Sequence, residues 1–237
     1  MIIVENSICK IFIKSDLKES DLIYSTTSTM YVKKVYNQTQ TNKYLINYWP
    51  FNGNYFDTIS NISLFNSINN SLVTDRYGRA NYSLYLNNGY VQAPNGYYIY
   101  GDFTLTTWVK MKTLVAYKRF FRLTQLNGTV AYFSLSHNYT TKYAPYFSYF
   151  NGDQIANTSL TIGKWQHLAF TIKQTTISIY IDGLCVYQGM SLPIQTQYFK
   201  NVYIGYNGSP DAELDDIKIY NISLTQAEII QSSFTNL

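Results

Sequence analysis

The stretch Gly163–Gly189, GKWQHLAFTIKQTTISIYIDGLCVYQG, decides how the rest of the chain is read. Leu168, Phe170 and Ile172 alternate with smaller or polar residues, as do Ile177, Ile179 and Ile181, and period-two alternation of branched and aromatic residues marks half-buried strands. Asp182-Gly183 predicts a two-residue type I′ turn, because both central positions need positive φ and glycine takes it without steric cost. Such a turn fixes register: Ile181 is expected opposite Leu184, Ile179 opposite Val186, and Tyr180 opposite Cys185 on the other face. A long hairpin with one apolar face must pack on a second sheet.

Outward from this hairpin the same reading repeats. In DFTLTTWVKMK, residues 102–112, Phe103, Leu105, Thr107, Val109 and Met111 share one strand face and Thr104, Thr106, Trp108 and Lys110 the other. YSLYLNNGYVQAPNG, residues 82–96, reads as two short strands around Asn88-Gly89, and hairpins are expected around Asn127-Gly128 and Asn151-Gly152. The run from Ser63 to Asn81 reads as polar loop. Only ISLTQAEIIQSSF, residues 222–234, has helical character, with Thr225 as N-cap and Glu228 completing a capping box. Many short strands without βαβ alternation predict an all-β fold, an antiparallel β-sandwich of jelly-roll type.

Residues 1–44 read as an N-terminal β arm and linker, residues 45–237 as the main domain. Strands are expected near Ile8–Lys14 and Met30–Tyr36, with Asn37–Lys43 as the linker. An isolated hairpin is marginal in water, so the arm is expected to add to a sheet, either of its own domain or of a neighbouring copy.

Charged residues make up only 14% of the chain, while tyrosine alone contributes 25 of 237 residues. The surface is therefore polar without being ionic, a composition that points outside the cell. The net charge of +4 is scattered, which argues against nucleic-acid binding, since that needs a concentrated basic face. No apolar run is long enough to span a membrane. The start, MIIVENSICKIFIKS, lacks a basic n-region and a continuous apolar core, so it does not read as a signal peptide. Asn-x-Ser/Thr acceptors occur at Asn37, Asn61, Asn69, Asn81, Asn127, Asn138, Asn157, Asn207 and Asn221, which predicts N-linked glycans and an extracellular, secreted or cell-surface, setting. In that setting Cys9 and Cys185 allow one disulfide, within or between chains.

In order along the chain, YWPFNGNYFD, ANYSLYLNNGYVQAP, DFTLTTWVK, GKWQHLAFTIKQTTISIYIDG, VYIG and ELDDIKIYNISLTQAEI together resemble the concanavalin A-like laminin G or pentraxin-type jelly roll, over about residues 45–237. The resemblance implies two face-packed antiparallel sheets, with Trp165, His167, Trp49 and Trp108 as packing residues. It also implies a calcium ion held by oxygen ligands, which maps onto Asp57 with Asp215 and Asp216. Laminarinase-type hydrolases of this fold carry Glu-x-Asp-x-x-Glu on one strand; here Glu213 and Asp215 are followed by Lys218, and a cation cannot serve as the acid/base carboxylate. His137 and His167 have no serine in a nucleophile-elbow context, so no enzyme activity is expected.

These readings together describe a non-catalytic extracellular glycoprotein module for adhesion or structural self-assembly, with a polymer or filament built through exchange of the arm with other copies or tandem modules. The alternative is a lectin-like carbohydrate-binding module, calcium-dependent where the ion site forms. Exposed tyrosines in NGYYIYGD, KYAPYFSYF and QYFKNVYIGY suit either use, stacking on sugar faces or forming contacts between copies.

Overall fold

A computed structural model of the chain describes residues 2–5, 8–11, 22–24, 30–32, 41–139, 142–149, 152–190 and 193–234. The chain divides into two units, Met1–Asn42 and Lys43–Leu237. In the first, β1 (Ile2–Glu5) pairs antiparallel with β2 (Ile8–Ile11), and β3 (Leu22–Tyr24) with β4 (Met30–Val32). Cys9 stands opposite Val4 in that register. The side chains of Cys9, Asn37 and Asn138 lie outside the described residues, so the disulfide and those two acceptors are not seen.

The second unit is one continuous antiparallel sheet of fourteen strands. Its main path runs β13 (Asp153–Ile155), β12 (Lys142–Ser148), β11 (Val130–Tyr139), β10 (Lys118–Gln125), β17 (Gln197–Gly205) and β7 (Ser83–Ala93). It continues through β18 (Asp211–Tyr220), β9 (Phe103–Met111), β14 (Trp165–Lys173), β15 (Thr176–Ile181) and β16 (Leu184–Met190). Off this path, β5 (Leu45–Trp49) pairs with β18, β6 (Phe65–Val73) with β7, and β8 (Gly96–Ile99) with β17.

The ring of Phe133 on β11 lies 5.2 Å from that of Phe170 on β14 and 5.7 Å from that of Phe103 on β9. In a flat sheet, β11 and β9 would stand about 24 Å apart, at some 4.8 Å per strand step. The sheet is therefore folded over on itself into a sandwich, as expected. β7 is the strand at the fold: Leu84–Asn87 pair with β18 of the back layer, and Tyr90–Ala93 with β17 of the front layer. The core between the layers takes the inward residue of each alternating pair, including Leu84, Leu86, Val91, Phe121, Leu123, Val202 and Ile204.

The hairpin that opened the reading forms β15 and β16. Asp182 and Gly183 take φ of 51° and 77°, the left-handed pair of a type I′ turn. Ile181 opposes Leu184 and Tyr180 opposes Cys185, but Ile179 opposes Tyr187 and not Val186, because a bulge shifts the register between Ile179 and Tyr180. Leu184, although in register with the buried Ile181, is exposed, and the β15 side of the hairpin face is the buried one.

Two further expectations are corrected. Residues 82–96 do not make a hairpin around Asn88-Gly89: β7 runs unbroken through them. Asn88 takes φ 52°, but the use of Gly89 is proximity, since a Cβ there would sit 2.0 Å from the Asn69 carbonyl oxygen. The run read as loop from Ser63 to Asn81 contains β6. Its alternation is hidden because it is an exposed edge strand with two bulges, at which Asn66 and Asn69 both take φ of 47°.

The terminal helix α1 (Gln226–Phe234) starts at the expected capping box: Thr225 N donates to Glu228 Oε2 at 2.7 Å, and Glu228 N to Thr225 Oγ1 at 3.4 Å. Ile229 of α1 joins Leu45, Tyr48, Ala169, Tyr220 and Leu224 in a second apolar cluster on the outer side of the back layer. The helix thus covers the outer side of the back layer.

Candidate functional site

The charged residues of β18 are drawn into a buried cluster. Alternation on this strand breaks at Asp216, which takes φ 49° in a bulge between Asp215 and Lys218. Arg76, from the turn before β7, reaches both carboxylates, Nη1 on Asp215 Oδ2 and Nη2 on Asp216 Oδ2 at 2.6 Å. Tyr48 Oη donates to Asp216 Oδ1 at 2.5 Å. Lys218 Nζ donates to the Ser232 carbonyl at 3.0 Å, and Trp108 Nε1 to that of Ser233 at 3.2 Å, so the cluster also holds α1 in place. Burial first, and then the neighbouring Asp216 charge, push the Asp215 carboxyl up to about 8. Burial pushes the Lys218 ammonium down to about 8.

Asp57 lies elsewhere in the network. Its Oδ1 accepts from the backbone N–H groups of Tyr48, Ile59 and Ser60 at 3.0, 2.9 and 3.1 Å, and its Oδ2 from Asn47 Nδ2 at 2.6 Å. The three aspartates mapped as calcium ligands therefore divide: Asp57 meets the backbone end of Tyr48, and Asp216 its hydroxyl. Asp215 and Asp216 share an arginine, and among the described residues no three acidic, histidine or cysteine side chains gather into a metal-ligand group. Glu213 is bound by Lys110 and, at 3.1 Å, by Lys112.

The Trp165-Gln166-His167 motif anchors the hairpin. His167 N and Gln166 Nε2 donate to the two oxygens of Asp182 at 2.9 and 3.0 Å, pinning the type I′ turn to the start of β14. The His167 imidazole packs on Trp108 at 5.4 Å, and burial, reinforced by Lys218 and Arg76, pushes it down to about 3. The sign follows from linkage. Between its ordinary value near 6.5 and about 3, the unfolded chain binds a proton that the folded chain refuses, so stability falls as pH falls. Wild type is expected to lose about 1.4 kcal/mol per pH unit more than His167→Gln across that window. Urea unfolding at stepped pH measures this, and parallel slopes for the two proteins would refute it.

The outer face of the front layer is built differently. Tyr132 (β11), Arg122 (β10), Tyr203 (β17), Gln92 (β7) and Phe65 (β6) stand directly opposite one another across successive strands. At some 4.8 Å per step this row is about 19 Å long. Beside it Tyr90 meets Tyr203 and Tyr206 edge-on at 5.3 and 5.1 Å, while Tyr203 and Tyr206 stack at 4.4 Å with 15° between planes. The stack depends on an unusual backbone: Gly205, Tyr206, Asn207 and Gly208 all take positive φ, of 90°, 70°, 44° and 97°. Consecutive left-handed residues are costly and need outside support. Arg119 provides it, through its N–H on the Gly208 carbonyl at 2.8 Å and Nη1 on the Asn207 carbonyl at 2.9 Å. Tyr90, Tyr203, Tyr206, Arg122 and Tyr132 are all half-buried, with their rims open to water.

At the edge of this face the β6 bulges leave an open depression of about 480 Å³, lined by Asn69, Asn70, Ser71, Tyr85, Asn87 and Asn88. Asn70 is saturated there, donating to the Tyr90 carbonyl at 2.7 Å and accepting from Tyr55 Oη at 2.9 Å. Of the acceptor asparagines, Asn61, Asn69, Asn81, Asn127, Asn157 and Asn207 are exposed and Asn221 is half-buried. Asn61, Asn69, Asn81 and Asn207 also take positive φ, which gives asparagine a turn-forming role at those positions irrespective of any glycan. Cys185 is exposed and carries a free thiol, which donates to the Tyr187 carbonyl at 3.3 Å.

A family model described as the concanavalin A-like lectin/glucanases superfamily matches residues 86–230. The chain belongs to this superfamily. No curated protein sequence matches it. Among solved structures, this concanavalin A-like chain is similar to domain 4 of AbnA, an extracellular arabinanase from Geobacillus stearothermophilus solved in complex with arabinotriose. The TM-score is 0.66 at 17% identity, over 79% of this chain and 97% of that one. It is also similar to the botulinum neurotoxin serotype C1 binding domain (TM-score 0.63, 16% identity, 82% of this chain and 53% of that one). Trypanosoma rangeli sialidase in complex with sialic acid gives TM-score 0.59 at 18% identity, over 79% of this chain but only 32% of the sialidase. At these identities the likeness is one of fold.

Proposed function

We propose that this concanavalin A-like chain binds carbohydrate without cleaving it, as an adhesive module of an extracellular glycoprotein. The observation that carries the reading is the left-handed segment Gly205–Gly208, which folds Tyr206 back onto Tyr203 on the open face of the front layer. Backbone strain held by a dedicated arginine is stored where a side chain must be aimed, and here it aims a paired aromatic surface at water. Half-buried tyrosines beside amide side chains suit a sugar, whose C–H faces stack on rings while its hydroxyls bond to amides. Domain 4 of the arabinanase, solved with arabinotriose, supports a carbohydrate as ligand. The engagement of Asp215 and Asp216 by Arg76, and of Glu213 by two lysines, supports binding without hydrolysis. Exposed acceptor asparagines support the extracellular setting.

A glycan array with the purified chain is expected to show saturable binding. Tyr203→Ala should weaken it roughly tenfold, the effect of removing one stacked ring. Absence of binding across the array would overturn the reading, and released sugar products on chromatography would overturn its non-catalytic part. A second reading, self-assembly, draws on the exposed Ile62, Phe65 and Ile68 at and before the edge strand β6. Light scattering of the same samples separates the two, since assembly through β6 would raise the mass without any glycan.

A further inference from the structure

We propose that the saccharide taken by this face is acidic, and that Arg122 receives its carboxylate or sulfate group; the inference rests on the carbohydrate reading above. Arg122 stands in the middle of the cross-strand row, with Tyr132 on one side and Tyr203 on the other. Its guanidinium lies 5.2 Å from the Tyr206 ring. Among the described residues it has neither a hydrogen bond to a protein acceptor nor an ion pair. Its cationic neighbours are committed: Arg119 packs over Tyr132 at 4.4 Å and binds the Asn207 carbonyl, and Lys118 Nζ donates to the Ser209 carbonyl at 3.1 Å.

Among the described residues, carboxylates are missing around Arg122. Along the row from Arg122 the first is Asp153, three strands away on β13, and it already sits 2.9 Å from His137 Nε2. In the other direction come Tyr203, Gln92 and Phe65. The outward positions of β7 and β17 next to the row are Tyr90 and Asn201, equally without charge. The other buried or half-buried cations described above each have a carboxylate or a carbonyl as partner; Arg122 has the Tyr206 ring. A guanidinium lying over one ring presents a planar fork of donors, the geometry that binds a carboxylate or sulfate through two parallel bonds. Partial burial strengthens that bond, because less water competes for it. The row continues on both sides of Arg122 with rings and an amide, so an extended chain can place one acid group on the arginine and its neutral units on Tyr203, Gln92 and Tyr132.

Calorimetric titration tests this with three series of equal length: an oligogalacturonate (carboxylate), a heparin-derived oligosaccharide (sulfate) and a neutral cello-oligosaccharide. At least one acidic series is expected to bind about tenfold or more tightly than the neutral one, an advantage that shrinks as salt is raised. Which acidic series wins identifies the group. Arg122→Gln should erase the advantage, while Arg122→Lys keeps the charge and retains part of it; the melting temperature of each variant checks that it is folded. Equal affinity for acidic and neutral sugars, or an acidic preference that survives Arg122→Gln, would overturn the inference. Neutral binding that depends on Tyr203, with no acidic series bound more tightly, would do so while leaving the carbohydrate reading intact, and no binding in any series would overturn both.

Discussion

Arg76→Ala is expected to destabilise the chain by about 3–5 kcal/mol, the cost of removing one partner from a buried ion cluster. Arg76 is 6% exposed, Asp215 2% and Asp216 7%, so water cannot replace the guanidinium without entering the packed outer side of the back layer. Two adjacent carboxylates would be left facing each other with Tyr48 Oη as donor to one and Lys218 close by. Arg76→Lys should recover little, because a single ammonium cannot bridge both aspartates as the fork does. Urea unfolding gives the number. The same experiment on Arg76→Met with Asp215→Asn and Asp216→Asn should show a much smaller loss, since removing a whole buried network costs far less than breaking it. A loss under about 1 kcal/mol for Arg76→Ala would mean that the cluster is as good as hydrated, the value of an exposed pair.

Gly205→Ala is expected to be nearly as damaging and to disturb the tyrosine face as well. Its φ of 90° alone costs an alanine about 1–3 kcal/mol. The added Cβ would also lie 2.4 Å from the Gly89 carbonyl oxygen and 3.1 Å from Tyr90 Cα, both backbone atoms that cannot swing aside. Either β17 and β7 part or the left-handed segment unwinds, and both displace Tyr206 from Tyr203. Thermal unfolding should show a clearly lowered midpoint, and glycan affinity should fall at temperatures where the variant is still folded. A variant with wild-type stability and binding would show that the close approach of the two strands is not needed.

What could be read from the sequence followed from local rules, and what could not depended on strand order. The Asp182-Gly183 turn, the inward set of β9 and the Thr225–Glu228 capping box are each decided within a few residues, and each stands as expected. β6 was hidden because an edge strand exposed on nearly every residue carries no alternation. Tyr203 belongs to a tyrosine-rich segment and Arg122 to a small basic group with Lys118 and Arg119, but neither signals in the sequence that the two share a face with Phe65. Residues 132, 122, 203, 92 and 65 become neighbours only when β11, β10, β17, β7 and β6 are laid side by side, and nothing local announces that order. The aspartates of β18 show the limit from the other side: a sequence shows Asp215-Asp216 beside an expected Asp57, but not that Arg76, in the run that reads as loop, is their counter-charge.

β7 takes part in the ladders of both layers, with β18 along its first half and β17 along its second. Neither layer can therefore come apart while the other stays whole: loosening either one frees half of the strand on which the other is hung. The sandwich is expected to behave as one cooperative block, with slow amide exchange in the two paired halves of β7, Leu84–Leu86 and Val91–Ala93. The tyrosine face, built on strands that hang from the same spine, shares its stability with the buried ion cluster of β18.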